Sequence, residues 1–119
     1  MENRTFGAAG TYLSALYRRG RVGVRVRELA RDLGRSPASV SAMLAKLEAQ
    51  GWVEHPPYRA ATLTEAGLRE AARLERGHAL LERHLIEALG YPPQEAHREA
   101  ERMAVALSDT LLRRLEGRA

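Results

Sequence analysis

The sequence predicts a mostly α protein: a winged helix-turn-helix domain over residues 1–63, followed by a helical hairpin over residues 64–119. Three observations carry this. Apolar residues recur at helical spacing through most of the chain. Between Val26 and His55 a short helix, a glycine stop, a Ser-Pro start and a second helix lead into a strand. Two further amphipathic stretches are separated by Gly90-Tyr91-Pro92-Pro93, a strong helix breaker.

The first helix is expected over residues 7–19, with Leu13, Leu16 and Tyr17 as its buried edge and Gly20 as its stop. Residues 22–26 offer a short strand. In the next helix, Arg27-Glu28-Leu29-Ala30-Arg31-Asp32-Leu33, Leu29 and Leu33 share a face, and Gly34 stops it because glycine tolerates the left-handed cap. Ser36 then caps free amides, and Pro37 sacrifices only an N–H that would be orphaned anyway. Val40, Met43, Leu44 and Leu47 form the apolar face of that helix, which Gly51 ends. Its other face carries Ser36, Ala38, Ser39, Ser41, Ala42 and Lys46, a surface with little bulk, hydroxyl donors and few carboxylates. The wing is expected from strands at 52–55 and 60–63, with a tip at Pro56-Pro57-Tyr58-Arg59 whose prolines remove amides that could template strand addition.

Thr64 is the expected cap of a long helix to Leu89, with Ala71, Leu74, Leu81, Leu85 and Leu89 in one stripe. A last helix to Leu115 places Ala96, Ala100, Met103, Leu107 and Leu111 likewise. Two such helices hold too little core to stand alone, so this half is expected to pack against a copy of itself.

Composition excludes several classes. With no cysteine there is no disulfide framework, thiolate nucleophile or soft metal site. No apolar run approaches a membrane span, and Met1-Glu2-Asn3-Arg4 leads into no secretory h-region, so a cytoplasmic protein without membrane partners is expected. Net charge is +4, distributed unevenly. Residues 1–59 hold nine Arg and one Lys against five carboxylates; residues 60–119 hold nine Arg against ten. Seven arginines fall within 18–35, on the helix-turn-helix itself. That is the electrostatic footprint of a half that binds double-stranded DNA, although an arginine-rich genome would account for part of it. The expected contacts are Arg27, Arg35, Ser36, Pro37, Ala38, Ser39, Ser41, Ala42, Lys46 and Arg59. None of the small residues makes the bidentate base contacts of Arg, Asn or Gln, so serines and the helix N-terminus should meet phosphates, and Ala38 or Ala42 thymine methyls.

The second half carries a chemical constellation. His78 and Glu82 are i, i+4 on the long helix, and His97 and Glu101 are i, i+4 on the last. Neighbouring helices let the four converge. Two imidazoles and two carboxylates suit a divalent Mn, Fe, Co or Zn ion and disfavour Cu(I). Glu75 is one turn before His78 and could add a donor, whereas His84 and His55 are assigned no ligand role. Alternatively, Arg73, Arg76, Arg98 or Arg102 would pair with Glu82 and Glu101, leaving ordinary histidines. A metal-assisted hydrolase using His97 and Glu101 lacks a phosphate loop, a nucleophile setting and room for a substrate; no enzyme and no small-molecule substrate are expected.

From Tyr12 to Leu115 the chain resembles the diphtheria toxin repressor and manganese transport regulator family of metal-dependent transcriptional repressors, in its two-domain form without an SH3-like domain. The resemblance rests on Tyr12-Leu13-Ser14-Ala15-Leu16-Tyr17, on Ser36 through Glu48, on Leu63-Thr64-Glu65-Ala66-Gly67, on Arg76-Gly77-His78 with Glu82, on His97 through Glu101, and on Leu107-Ser108-Asp109. It implies a homodimeric repressor on a palindromic operator, controlled by manganese or iron. It places His78, Glu82 and His97 at ancillary-site ligand positions and Glu101 at a primary-site position. Thr11 and Ser14 stand where the family puts first-helix ligands, and Ala104 and Val105 replace a Glu and a His. The alternative is therefore a metal-independent winged-helix regulator that has lost its primary site.

Overall fold

A computed structural model describes residues 7–57 and 59–117. The chain divides into two compact units, Met1–Ala72 and Arg73–Ala119.

In the first unit, α1 (Ala8–Arg18) buries Tyr12, Leu13, Ala15 and Leu16. Tyr17, expected inside, is only half-buried, and Tyr12 takes that place. The ring of Tyr17 instead carries the guanidinium of Arg21 at 4.1 Å from its centroid. The expected strand at 22–26 reduces to one antiparallel bridge, Val24 with Ala61. Gly23 lies in the left-handed region and Arg25 already caps the next helix, so nothing extended remains to pair.

That helix, α2 (Val26–Leu33), starts with the Glu28 carboxylate accepting from the Arg25 amide at 2.9 Å and ends at Gly34, φ 64°. α3 (Pro37–Ala49) opens on Ser36, whose hydroxyl accepts from the Ser39 amide at 3.1 Å. Leu29, Val40, Leu44 and Leu47 are fully buried, while Met43 and Leu33 are half-buried. The wing is β1 (Val53–Glu54) antiparallel to β2 (Thr62–Leu63), in register Val53 to Leu63 and Glu54 to Thr62. Its strands are shorter than expected because Pro56 and Pro57 donate no amides to extend the ladder. Tyr58 of the tip lies outside the described residues.

Thr64 is the expected cap. Its hydroxyl accepts from the Gly67 amide at 3.1 Å and donates to the Gly51 carbonyl at 2.6 Å, joining the start of α4 (Glu65–Leu89) to the end of α3. The helix meets the chain closely here, because a Cβ on Gly67 would lie 1.9 Å from the Trp52 carbonyl oxygen.

α4 runs on into the second unit, whose core is Leu81, Leu85, Ala96, Ala100, Ala104, Leu107 and Leu112. The single last helix predicted from the sequence is two, α5 (Pro93–Ala104) and α6 (Asp109–Leu115). Ser108 restarts the chain by accepting from the Leu111 amide at 3.1 Å, and Arg73 takes the Leu107 carbonyl at 3.1 Å. The break rotates the apolar stripe. Ala104 and Leu112 are buried, whereas Met103 (37 % exposed), Leu111 (42 %) and the helix-terminal Leu89 (62 %), all expected inside, face outward.

Candidate metal centre and nucleic-acid interface

His78 and Glu82 stand one turn apart on α4, and His97 and Glu101 one turn apart on α5. Packing of Ala96 and Ala100 against Leu81 and Leu85 sets the two pairs side by side. Glu82 Oε1 is 3.3 Å from His97 Nδ1 and 3.8 Å from His78 Nδ1; Glu101 Oε1 is 3.8 Å from His97 Nε2. The two imidazoles meet edge to face, centroids 4.8 Å apart. Donor atoms of His78, His97 and Glu101 all lie within 4.8 Å of one another. Two ligands of a single ion bound at about 2.1 Å are at most about 4.2 Å apart, so small side-chain rotations suffice to close the set.

The donors fit a divalent ion on a further ground. The side chain of His78 is only 12 % exposed, yet its Nε2 is buried without a hydrogen-bond partner. Buried polar atoms are rarely left so, and a ligand-binding lone pair is one resolution. The arginines that could have neutralised the carboxylates are mostly engaged elsewhere. Arg73 serves the Leu107 carbonyl and Asp109, Arg76 pairs with Glu116, and Arg102 with Glu99. Arg98 alone of the four lines a recess beside Glu82 and His97. Glu75 is half-buried and outside the donor group, and His84 is exposed.

Arg27, Arg35, Ser36, Pro37, Ala38, Ser39, Ser41, Ala42, Lys46 and Arg59 are all exposed. The Ser36 hydroxyl is occupied, accepting from the Ser39 amide and donating to Ser39 Oγ, both at 3.1 Å. That leaves the Ser39 hydroxyl, with its own proton, as the outward donor at the start of α3. Two side chains not singled out from the sequence as DNA contacts, Arg25 and His55, join Ser41 and Arg59 around one groove. Arg25 lies 30 residues before His55, and long-range contacts such as the Val24–Ala61 bridge and the Gly23 amide on the Thr62 hydroxyl bring the two segments together, so no local spacing could reveal it.

Residues 7–61 match the iron dependent repressor N-terminal DNA binding domain, and residues 64–118 match the iron dependent repressor metal binding and dimerisation domain. The chain belongs to the iron-dependent repressor family. The family is one of transcriptional regulators. An uncharacterised helix-turn-helix transcriptional regulator of Methanocaldococcus jannaschii is 38% identical over 93 residues, 78% of this chain and 74% of that protein. The iron-dependent repressor IdeR of Mycobacterium tuberculosis is 35% identical over 107 residues, 87% of this chain but 46% of its own length. A manganese-dependent transcriptional repressor solved in complex with manganese superposes with a TM-score of 0.81 at 36% identity, over 92% of this chain and 51% of that one. The chain thus spans about half the length of the latter two. Within the family, Ala104 and Val105 offer no donor atoms, and the Thr11 hydroxyl is turned to the Gly7 carbonyl of its own helix at 3.4 Å. No helix among the described residues is long and apolar enough to cross a membrane.

Proposed function

We propose that this chain is a cytoplasmic, sequence-specific transcriptional repressor that binds double-stranded DNA as a homodimer under the control of one divalent metal ion per chain. Residues 1–63 would serve DNA binding, and residues 64–119 dimerisation and metal binding. The observation that carries the metal assignment is the convergence of His78, His97 and Glu101, with Glu82 beside the Nδ1 atoms of both imidazoles, together with a buried His78 Nε2 that has no hydrogen-bond partner.

When bound, the ion supplies positive charge that draws the four donors together. His78 and Glu82 would hold it from α4, and His97 and Glu101 from α5, fixing the hairpin between them. No ligand comes from α1, because Thr11 and Ser14 replace the donors the family resemblance would place there. Control of DNA binding then runs through the order of the hairpin and of α4, which continues into the DNA-binding unit. That coupling is a difference in affinity between two ordered states and has to be reciprocal: DNA raises metal affinity by the same factor.

The test is a calorimetric titration of chelator-stripped protein with Mn2+, Fe2+, Co2+ and Zn2+, alongside His78→Leu. The wild type should take up one equivalent per chain and gain stability, about 2.7 kcal/mol at a hundredfold excess over Kd. His78→Leu should lose that gain and yet melt no lower than wild type in chelator, since it removes an unsatisfied buried nitrogen. Unchanged metal affinity in His78→Leu would refute the ligand set. No uptake by the wild type would favour the second reading, a metal-independent regulator, for which the apolar Ala104 and Val105 speak.

A further inference from the structure

The first unit contains a groove of about 760 Å³ lined by Arg25, Val26, Ser41, His55, Arg59 and Ala60. Four parts of the fold meet there: the cap of α2, the outward face of α3, the end of β1 and the wing. Among the described residues the guanidinium groups of Arg25 and Arg59 have no hydrogen-bond or ion-pair partner, in contrast to Arg19, which is fastened to Asp32 by two 2.7 Å bonds. The carboxylate that α3 brings nearest is Glu48, and its Oε2 already accepts the His55 backbone amide at 3.1 Å. Two cations and an imidazole therefore surround a concave surface to which, among the described residues, Ser41 adds a hydroxyl.

We propose that Arg25, Ser41, His55 and Arg59 form a seat for one phosphodiester of the DNA backbone, occupied most tightly when His55 is protonated. This rests on the DNA-binding reading above and adds to it a phosphate contact and a dependence on pH. A phosphate matches the donor set: two forked guanidiniums, a hydroxyl and an imidazole N–H. The groups facing His55 fix the sign. The charged groups set around His55 are two cations, Arg25 from α2 and Arg59 from the wing, and one carboxylate, Glu48 from α3, which accepts its backbone amide. The phosphodiester is a monoanion, and placed between these groups it attracts a protonated imidazole more strongly than a neutral one. Proton and DNA therefore bind with positive linkage, and the extra affinity is present at low pH and lost as pH rises.

The experiment is fluorescence anisotropy of the full chain on a labelled mixed-sequence duplex of about 30 base pairs, across salt, at about pH 5.5 and about pH 8. Wild type, His55→Gln and Arg25→Gln are compared at each pH, so titration of His78, His84 and His97 is common to all three. His55→Gln should weaken binding about three- to tenfold at the lower pH, with the log–log salt slope shallower by about 0.9, and change it less than about twofold at the higher pH. Arg25→Gln should lose about 0.9 of slope at both. Equal effects of His55→Gln at the two pH values, or an unchanged slope in Arg25→Gln, would overturn the seat while leaving DNA binding intact. Absence of any salt-dependent binding by the wild type would remove the DNA-binding reading itself, and the seat with it.

Discussion

At the scale of single residues, neighbouring charges show how differently one side-chain type is used. Arg19 grips Asp32 with two 2.7 Å hydrogen bonds and stands 3.6 Å from Glu28, tying the end of α1 to α2. The bidentate guanidinium holds the Asp32 carboxyl below the usual carboxylate value of 3.8. A depressed folded-state pKa means the stabilisation is present above that value and disappears as pH falls through the folded one. Asp32→Asn should therefore lower the denaturant midpoint at neutral pH, by a modest amount because the pair is solvated, and the difference from wild type should vanish on acidification well below 3.8. Urea melts of both proteins along a pH series check this. Arg25 and Arg59, a few residues away along the fold, have no such partner among the described residues and remain available to an anion. The sequence shows all of these as one arginine cluster; which are spent inside the fold depends on where Asp32 comes to lie.

Among elements, α4 is the most informative. Its start is legible in Thr64, a local capping signal, and the structure uses Thr64 as cap; the close contact at Gly67 depends on where Trp52 comes to lie. Two glycines of this helix differ in what surrounds them. A methyl on Gly67 would strike the Trp52 carbonyl oxygen at 1.9 Å, a backbone atom that cannot step aside, while one on Gly77 would meet only a Leu107 methyl at 2.4 Å. Gly67→Ala should cost about 3 kcal/mol or more, and Gly77→Ala about 1 kcal/mol or less, because rotation of Leu107 and the gain of about 1 kcal/mol in helix propensity offset the clash. Thermal melts of the two variants separate these cases, and equal losses would show the helix start to be more yielding than drawn. The end of the chain was less legible. Periodicity continues through 105–108 as though one helix ran to Leu115, and the restart at the Ser108 cap is not visible in it. A three-to-four spacing cannot distinguish a continuous helix from two that meet at an angle, since both place apolar residues at similar intervals.

For the whole molecule, the uneven charge and the exposed apolar residues divide the work. The basic half carries the groove and the outward face of α3 and exposes Val22, and the second half leaves Leu89, Met103 and Leu111 exposed. In the homodimer proposed above, these large apolar side chains of the second half would be buried against the second copy. Leu111→Glu should raise the dimer dissociation constant at least about tenfold, about 1.4 kcal/mol, as read by sedimentation equilibrium, without lowering the helix content. A variant that dimerises as tightly as wild type would move the interface elsewhere.

The sequence by itself determined the succession of helices, their caps at Ser36 and Thr64, the wing and the four candidate metal donors. These follow from local rules: periodicity, capping chemistry and i, i+4 spacing act within a turn or two of chain. The tertiary structure decided what depends on distant parts meeting. It set Tyr12 rather than Tyr17 in the core, exposed Met103 and Leu111, left His78 Nε2 buried without a partner, and closed Arg25, Ser41, His55 and Arg59 around one groove. The physical reason is that burial and pairing are properties of the partner as much as of the residue. The surroundings of Arg25 depend on contacts such as the bridge between Val24 and Ala61, and those of His78 on the packing of α5 on α4, neither of which any short window of sequence contains.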